Sequence, residues 1–240
     1  MPRPATNWPR VRVTRAAAPQ RALWHPASFG VTIFPAEIAP DGPESGKMAP
    51  FAEPRALISG LKRKSEQALH PHRRRRILKI LGRDTLPSAV LFICYGNICR
   101  SPFAAESLRQ RLSPPVRDCI AIASAGFYGP GRPPPSTALS VAAAMGIDMS
   151  YHRSRLVESP GVKAFDWIFV MDPVHARMLH SMVDVPGRVL VLGDLDPNPI
   201  ETRLIHDPIG QSAEVFERVY RRIDACTAEL ARILQNSAGT

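Results

Sequence analysis

From residue 87 onward, apolar and polar positions alternate between two periods. Ala89–Ile93 is a short continuous apolar run, as expected of a central parallel strand buried on both faces. Ser101 to Leu112 then reads as a helix. Ser101 is placed to cap it, Pro102 suits its first turn, and Phe103, Ala104, Leu108 and Leu112 share one face. Cys119–Ala123 reads as a second strand. Pro135–Met145 is an Ala-rich helix that Gly146 stops. Phe165–Met171 is a third strand, and Asp172-Pro173 opens another helix with Asp172 as its cap. Arg188–Leu192 is a fourth strand. Ala213–Gln235 is a long last helix with Phe216, Val219, Ile223, Cys226, Leu230 and Ile233 on one face. Strands alternating with helices predict an α/β fold, a parallel sheet covered on both faces. The active crevice of such a sheet lies beyond the carboxyl ends of its strands.

The preceding residues read differently. Over 1–53, nine prolines recur without a sustained period, which predicts a poorly ordered Pro/Arg-rich extension. Its start is Arg-rich and carries no acid before Glu37, a composition shared by organelle-targeting peptides and by disordered extensions. Residues 54–86 read as a basic, helical linker. Leu57, Ile58, Leu61, Ala68 and Leu69 share a helical face beside Lys62-Arg63-Lys64, and Arg73-Arg74-Arg75-Arg76 follow Pro71.

Charge sharpens this division. The chain of 240 residues has a net charge of +10. Residues 1–86 hold 16 of the 31 Lys+Arg and 6 of the 21 Asp+Glu, leaving 15 of each sign for residues 87–240. The basic balance therefore belongs to the N-terminal part. A basic amphipathic helix over 54–83 allows contact with a membrane surface. No aromatic is interleaved with its charges, which disfavours nucleic acid. No stretch reaches the ~20 apolar residues of a membrane span. Cys94, Cys99, Cys119 and Cys226 make no disulfide framework, which points to a reducing, cytoplasmic setting. Cys119 and Cys226 are expected as buried free thiols.

The chemistry concentrates where the first strand ends, in Cys94-Tyr95-Gly96-Asn97-Ile98-Cys99-Arg100-Ser101-Pro102. Strand, short loop and helix start form a cradle of backbone N–H groups for a tetrahedral oxyanion. Gly96 lets the chain curl, and Asn97 tolerates a left-handed conformation. Arg100 can clamp two phosphate oxygens at once. The same positive field favours a thiolate at Cys94, to which Ser101 can donate. A nucleophile inside a phosphate cradle implies phosphoryl transfer through phosphocysteine. The absence of a Gly-Lys-Ser/Thr leaves a nucleotide loop without support. A proton donor for the leaving oxygen is also needed. Asp207, in Ile-His-Asp-Pro before the last helix, is the candidate, with Asp172, Asp184, Asp194 and Asp196 as rivals.

These residues resemble the low-molecular-weight protein tyrosine phosphatase family over about 87–236. The match takes in the Cys94–Pro102 loop, Ser124-Ala125-Gly126, Gly146-Ile147-Asp148-Met149-Ser150, His152-Arg153-Ser154-Arg155, Val170-Met171-Asp172 and His206-Asp207-Pro208. The resemblance implies a three-layer fold with a four-stranded parallel sheet of order 2-1-3-4. It also implies a two-step hydrolysis that uses neither metal nor cofactor. It assigns Cys94 as nucleophile, Arg100 as phosphate clamp and Asp207 as general acid and then base. Tyr95, Gly96, Asn97, Ile98, Cys99 and Ser101 would form the phosphate loop. Ser124 and His152 would support it together with Asn97 and Ser101. In some members a cysteine at the position of Cys99 forms a reversible disulfide with the nucleophile.

Family members often carry aromatics after the Asp-Pro, where Ile209-Gly210 stand here. Phe127 and Tyr128 are then the candidates to wall a phenyl ring. The implied partner is a phosphotyrosine protein, with bacterial relatives often acting on tyrosine kinases. Two readings compete. An arsenate reductase of this fold would need two further cysteines within 172–187, which holds none. A phosphate-loop adaptor tethered through 54–83 would not need the intact Cys94, Arg100 and Asp207.

Overall fold

The structure is a computed structural model and describes residues 54–82 and 86–238. The extension over 1–53 and the side chains of Leu57, Ile58 and Leu61 lie outside the described residues.

Every residue of β1 (Ala89–Cys94) is buried. Successive side chains of a strand point to opposite faces, so this run can be satisfied only between two layers. β1 pairs in parallel with β2 (Ala121–Gly126) on one side and β3 (Trp167–Val170) on the other, and β3 pairs with β4 (Val189–Val191). The sheet order is β2-β1-β3-β4. Its register sets Cys94 beside Gly126 and Ile93 beside Val170. The carboxyl ends of three strands therefore meet around Cys94, as the alternation of elements predicts.

The helices follow the same apolar logic. α2 (Arg100–Arg111) buries Phe103, Ala104 and Leu108. It packs against α7 (Ala213–Ala238), which buries Phe216, Val219, Tyr220, Ile223, Cys226, Leu230 and Ile233. Phe103 and Tyr220 stack at 4.0 Å between ring centroids. Burying one such side chain contributes about 1.5–3 kcal/mol. α6 (Pro173–Met182) is capped by Asp172, whose side chain accepts from the Val174 N–H at 2.7 Å. α4 (Ser136–Ala144) and the short α5 (Ser159–Val162) complete the crossovers, and a 3-10 turn (Leu192–Leu195) follows β4.

Three local expectations are corrected. Pro114-Pro115 start a further helix, α3 (Pro114–Cys119), because proline is pre-organised for a first turn. The second strand therefore begins later than expected, at Ala121, and Cys119 is an exposed thiol, unlike the buried Cys226. Ser101 does not cap α2. It sits inside the first turn, and its hydroxyl faces Cys94.

Ahead of the sheet, α1 (Pro54–Leu81) runs as one helix through Pro71. His70, Ile77 and Leu81 are buried on its inner side, a line spaced by seven and four residues. Leu69, expected on an apolar face, is 45% exposed because it falls beside that line. No helix among the described residues is long and apolar enough to cross a membrane.

Candidate active site

The site is built on the loop between β1 and α2. Asn97 has φ 50° and is fully buried. A left-handed backbone costs a non-glycine residue about 1–2 kcal/mol, so the surroundings must hold it. They do so on every polar atom of its side chain. Its amide nitrogen donates to Ser101 Oγ and to Ser124 Oγ, both at 2.9 Å. Its Oδ1 accepts from the Arg155 N–H at 2.8 Å, and its carbonyl accepts from His152 Nε2 at 2.7 Å. Burial lowers the His152 pKa, with the Asn97 hydrogen bond working the other way. The neutral ring is thus favoured, a hydrogen-bonding part with no charge to desolvate.

Cys94 Sγ sits inside this frame. Ser101 Oγ is 3.0 Å away, and the Asn97 N–H donates to the sulfur at 3.2 Å. Asn97 donates to Ser101 Oγ, so the serine O–H is left to turn to the sulfur or to the Ala125 carbonyl at 3.4 Å. Cys99 is also buried, and burial first, then the nearby Cys94, pushes its thiol pKa up to about 12. The start of α2 has no side-chain cap, so its first N–H groups face the loop. Tyr220 closes the floor, its hydroxyl reaching the Cys99 carbonyl at 3.4 Å.

Gly126 is required by close approach. A Cβ there would lie 2.8 Å from both Asn97 N and Tyr95 O, which are backbone atoms with no room to yield. We expect Gly126→Ala to distort the loop and to weaken competitive inhibition by inorganic phosphate at least roughly tenfold. Unfolding in urea should show a loss of about 1–3 kcal/mol. Unchanged phosphate inhibition would mean that the loop tolerates the methyl group.

Arg100 is 3% exposed. Its Nη1 donates to the Ile205 carbonyl at 3.1 Å, its Nη2 pairs with Asp207, and its Nε has no partner. Asp207 Oδ1 accepts from the Ile209 N–H at 3.3 Å, which orients the carboxylate. Among the rivals, Asp194 pairs with Arg203 and Asp196 with Arg222, while Asp184 is exposed. Asp172 borders the cleft but is engaged as the α6 cap. Asp207 is the one of the five that pairs with Arg100.

A cleft of about 350 Å³ is lined by the Arg100–Asp207 pair and by Tyr95, Val174, His175, Met178, Leu204 and His206. Tyr95 stacks on Tyr128 at 6.0 Å, with 8° between the planes. Both rings are about half exposed, at 48% and 58%. Phe127 instead turns against His175, whose pKa is pushed down to about 4 by burial and then by Arg100. Gly96 and Ile98 are half-buried in the loop, and Ile209 is exposed.

Several residues escaped the sequence reading. Val174, His175 and Met178 reach the cleft from the first two turns of α6, a placement visible only once that helix is set against the loop. Arg132 ties the loop to its wall. Its guanidinium donates to the carbonyls of Gly96 (2.9 Å), Tyr128 (2.7 Å) and Gly129 (3.0 Å) and lies 4.9 Å from the Tyr128 ring centroid. An arginine between glycines and prolines gave no periodic signal. Among the described residues no cluster of His, Cys, Asp and Glu is arranged to hold a metal.

A model of the family "Low molecular weight phosphotyrosine protein phosphatase" matches residues 89–238. The low molecular weight protein-tyrosine-phosphatase Etp of Escherichia coli K12 is 32% identical over 149 residues, which cover 61% of this chain and 95% of Etp. Among solved structures, Vibrio vulnificus Wzb in complex with benzylphosphonate superposes with a TM-score of 0.54 at 28% identity, covering 61% of this chain and 98% of that one. The YwlE arginine phosphatase from Geobacillus stearothermophilus also superposes with a TM-score of 0.54, at 26% identity, covering 62% and 94%.

Proposed function

The chain belongs to the low molecular weight phosphotyrosine protein phosphatase family, and on that premise we propose that it hydrolyses protein phosphotyrosine through a phosphocysteine. The observation that carries this is the placement of Cys94 Sγ among the hydroxyl of Ser101, the loop N–H groups and the helix start, with Arg100 and Asp207 paired at the rim.

In the first step the Cys94 thiolate attacks phosphorus, and the bond from phosphorus to the tyrosyl oxygen breaks. The leaving oxygen takes a proton from Asp207. Loop N–H groups and the Arg100 guanidinium hold the three equatorial oxygens, whose charge grows in the transition state. Because Asp207 and phosphate compete for Arg100, substrate binding draws the guanidinium towards phosphate and frees the carboxyl group to carry its proton. In the second step Asp207 takes a proton from water, water attacks phosphorus, and the bond from sulfur to phosphorus breaks. Ser101 donates to the departing thiolate. No metal or cofactor takes part.

The exposed ring of Tyr95 in the cleft wall, backed by Tyr128, supports an aryl substrate, since a phenyl ring gains from stacking on a flat face. A tyrosine kinase is one protein substrate of this chemistry, and the cytoplasm is the compartment that keeps such thiols reduced. The test is turnover of a phosphotyrosyl peptide in excess chelator, set against phosphoseryl and phosphoarginyl peptides. Turnover of the phosphotyrosyl peptide alone is expected. A faster rate with phosphoarginine, or dependence on added metal, would overturn the reading.

Cys99 supports a redox role within the same proposal. Peroxide would oxidise Cys94 to a sulfenic acid. Attack by Cys99 sulfur on that sulfur expels water and forms a disulfide, which dithiothreitol reduces. Recovery after peroxide is expected to be nearly complete in wild type and largely lost in Cys99→Ser. Equal recovery in both would remove this role.

A further inference from the structure

The family match begins at residue 89, so α1 lies outside it. Yet α1 reaches the segment that carries Asp207. Glu66 Oε2 accepts from the Arg203 backbone N–H at 3.3 Å. The same carboxylate is held by Arg73, at 2.7 Å and 3.3 Å through its two oxygens. That hydrogen bond is the largest cause of a lowered Glu66 pKa, so the group is ionised at neutral pH. One helical turn on, His70 Nε2 donates to the Asp196 carbonyl at 3.0 Å, with the ring buried. Arg74 fastens α1 to α7 through Glu229 at 2.8 Å.

The segment between these contacts and Asp207 has little slack. Arg222 holds the carbonyls of Thr202 and Leu204 at 2.6 Å and 2.7 Å. Ile205 is fixed on both sides, its N–H donating to the Met171 carbonyl at 2.9 Å and its own carbonyl accepting from Arg100. Behind Arg203 the backbone is packed hard. A Cβ on Gly193 would collide with the Arg203 carbonyl oxygen. A displacement at Arg203 cannot be absorbed in that direction. The Asp207 carboxylate lies four residues further along this tethered segment.

We propose that Glu66, assisted by His70, is a positioning residue for the reaction: α1 grips Arg203 and so sets the proton-donating carboxylate of Asp207 at its working distance from the leaving oxygen. This rests on the phosphatase reading and on Asp207 as acid. Misplacing an acid costs rate in proportion to how much the leaving group needs the proton.

The experiment uses the full chain with Glu66→Gln, His70→Ala and Asp207→Ala, each assayed on phenyl phosphate and on p-nitrophenyl phosphate. Phenoxide leaves poorly and needs its proton, whereas p-nitrophenoxide does not. Glu66→Gln and His70→Ala should each lower kcat for phenyl phosphate roughly 3- to 10-fold and for p-nitrophenyl phosphate less than about twofold, with KM nearly constant. Glu66→Asp should recover part of the loss. In an Asp207→Ala background neither substitution should slow phenyl phosphate further, because both act through the same group. Equal slowing of the two esters, or full additivity with Asp207→Ala, would overturn the proposal. Should one variant fail to fold, the other decides. If wild type is active and Asp207→Ala shows the leaving-group effect while Glu66→Gln does not, this inference alone falls. An inactive wild type would overturn it together with the phosphatase reading.

Discussion

Replacing Cys94 by serine is expected to reduce hydrolysis of a phosphotyrosyl peptide by roughly four to six orders of magnitude, as removing a covalent nucleophile does. That corresponds to about 5–8 kcal/mol of transition-state stabilisation. Inhibition by inorganic phosphate should change less than about threefold, because the variant keeps the cradle. A serine hydroxyl still accepts from the Asn97 N–H and still faces Ser101, so Asn97 need not leave its left-handed conformation. Mass spectrometry supplies the second measurement. A phosphorylated Cys94 should be trapped from acid-quenched wild type, and no phosphorylated peptide spanning residue 94 from the variant. Turnover within tenfold of wild type would mean that sulfur is not the nucleophile. Loss of phosphate binding would mean that the thiol holds the loop open.

Replacing Asp207 by alanine should slow phenyl phosphate by about 10²- to 10⁴-fold, the range supplied by a positioned acid. p-Nitrophenyl phosphate should lose far less. The plot of rate against leaving-group pKa, nearly flat in wild type, should become steep. The second step is affected as well, since the same carboxylate activates water, so phosphoenzyme should accumulate with good leaving groups. The variant also frees Arg100 from its ion pair. Phosphate should then bind no more weakly than in wild type, a result that a general collapse of the site would not give. Equal slowing of both esters would end the case for Asp207 as acid.

How far these expectations were readable from the chain depends on the range of each interaction. The loop after β1 was legible because its signals are local: an apolar run, a glycine, a residue fit for a left-handed turn and an arginine at a helix start. The Asn97 frame drew on two other segments, at Ser124 and at His152 to Arg155, and only the likeness between motifs linked them. Ser101 shows where local reasoning failed. A serine before an apolar period reads as a cap, yet the curl of the loop brings it inside the helix and turns it on the sulfur. Cys119 failed for a related reason, since Pro114-Pro115 form a helix that uses up the start of the expected strand. α1 was the least legible. Its charges suggested solvent or an anionic surface, whereas Glu66, Arg73 and Arg74 are paired within the fold by partners up to 155 residues away.

The register of β1 bears on when Cys94 meets the groups proposed to activate it. Val90 and Ile93 find their partners at Trp167 and Val170, Cys94 lies against Gly126, and Asp207, the proposed proton donor, pairs with Arg100. All of these emerge from a ribosome after Cys94 itself. Parallel pairing through long crossovers is slow and non-local, and domains close as units once their last strands are made. During synthesis Cys94 is therefore an ordinary cysteine on an open chain, with no hydroxyl, arginine or cradle arranged around it. The reactivity proposed for it would arrive only with the sheet.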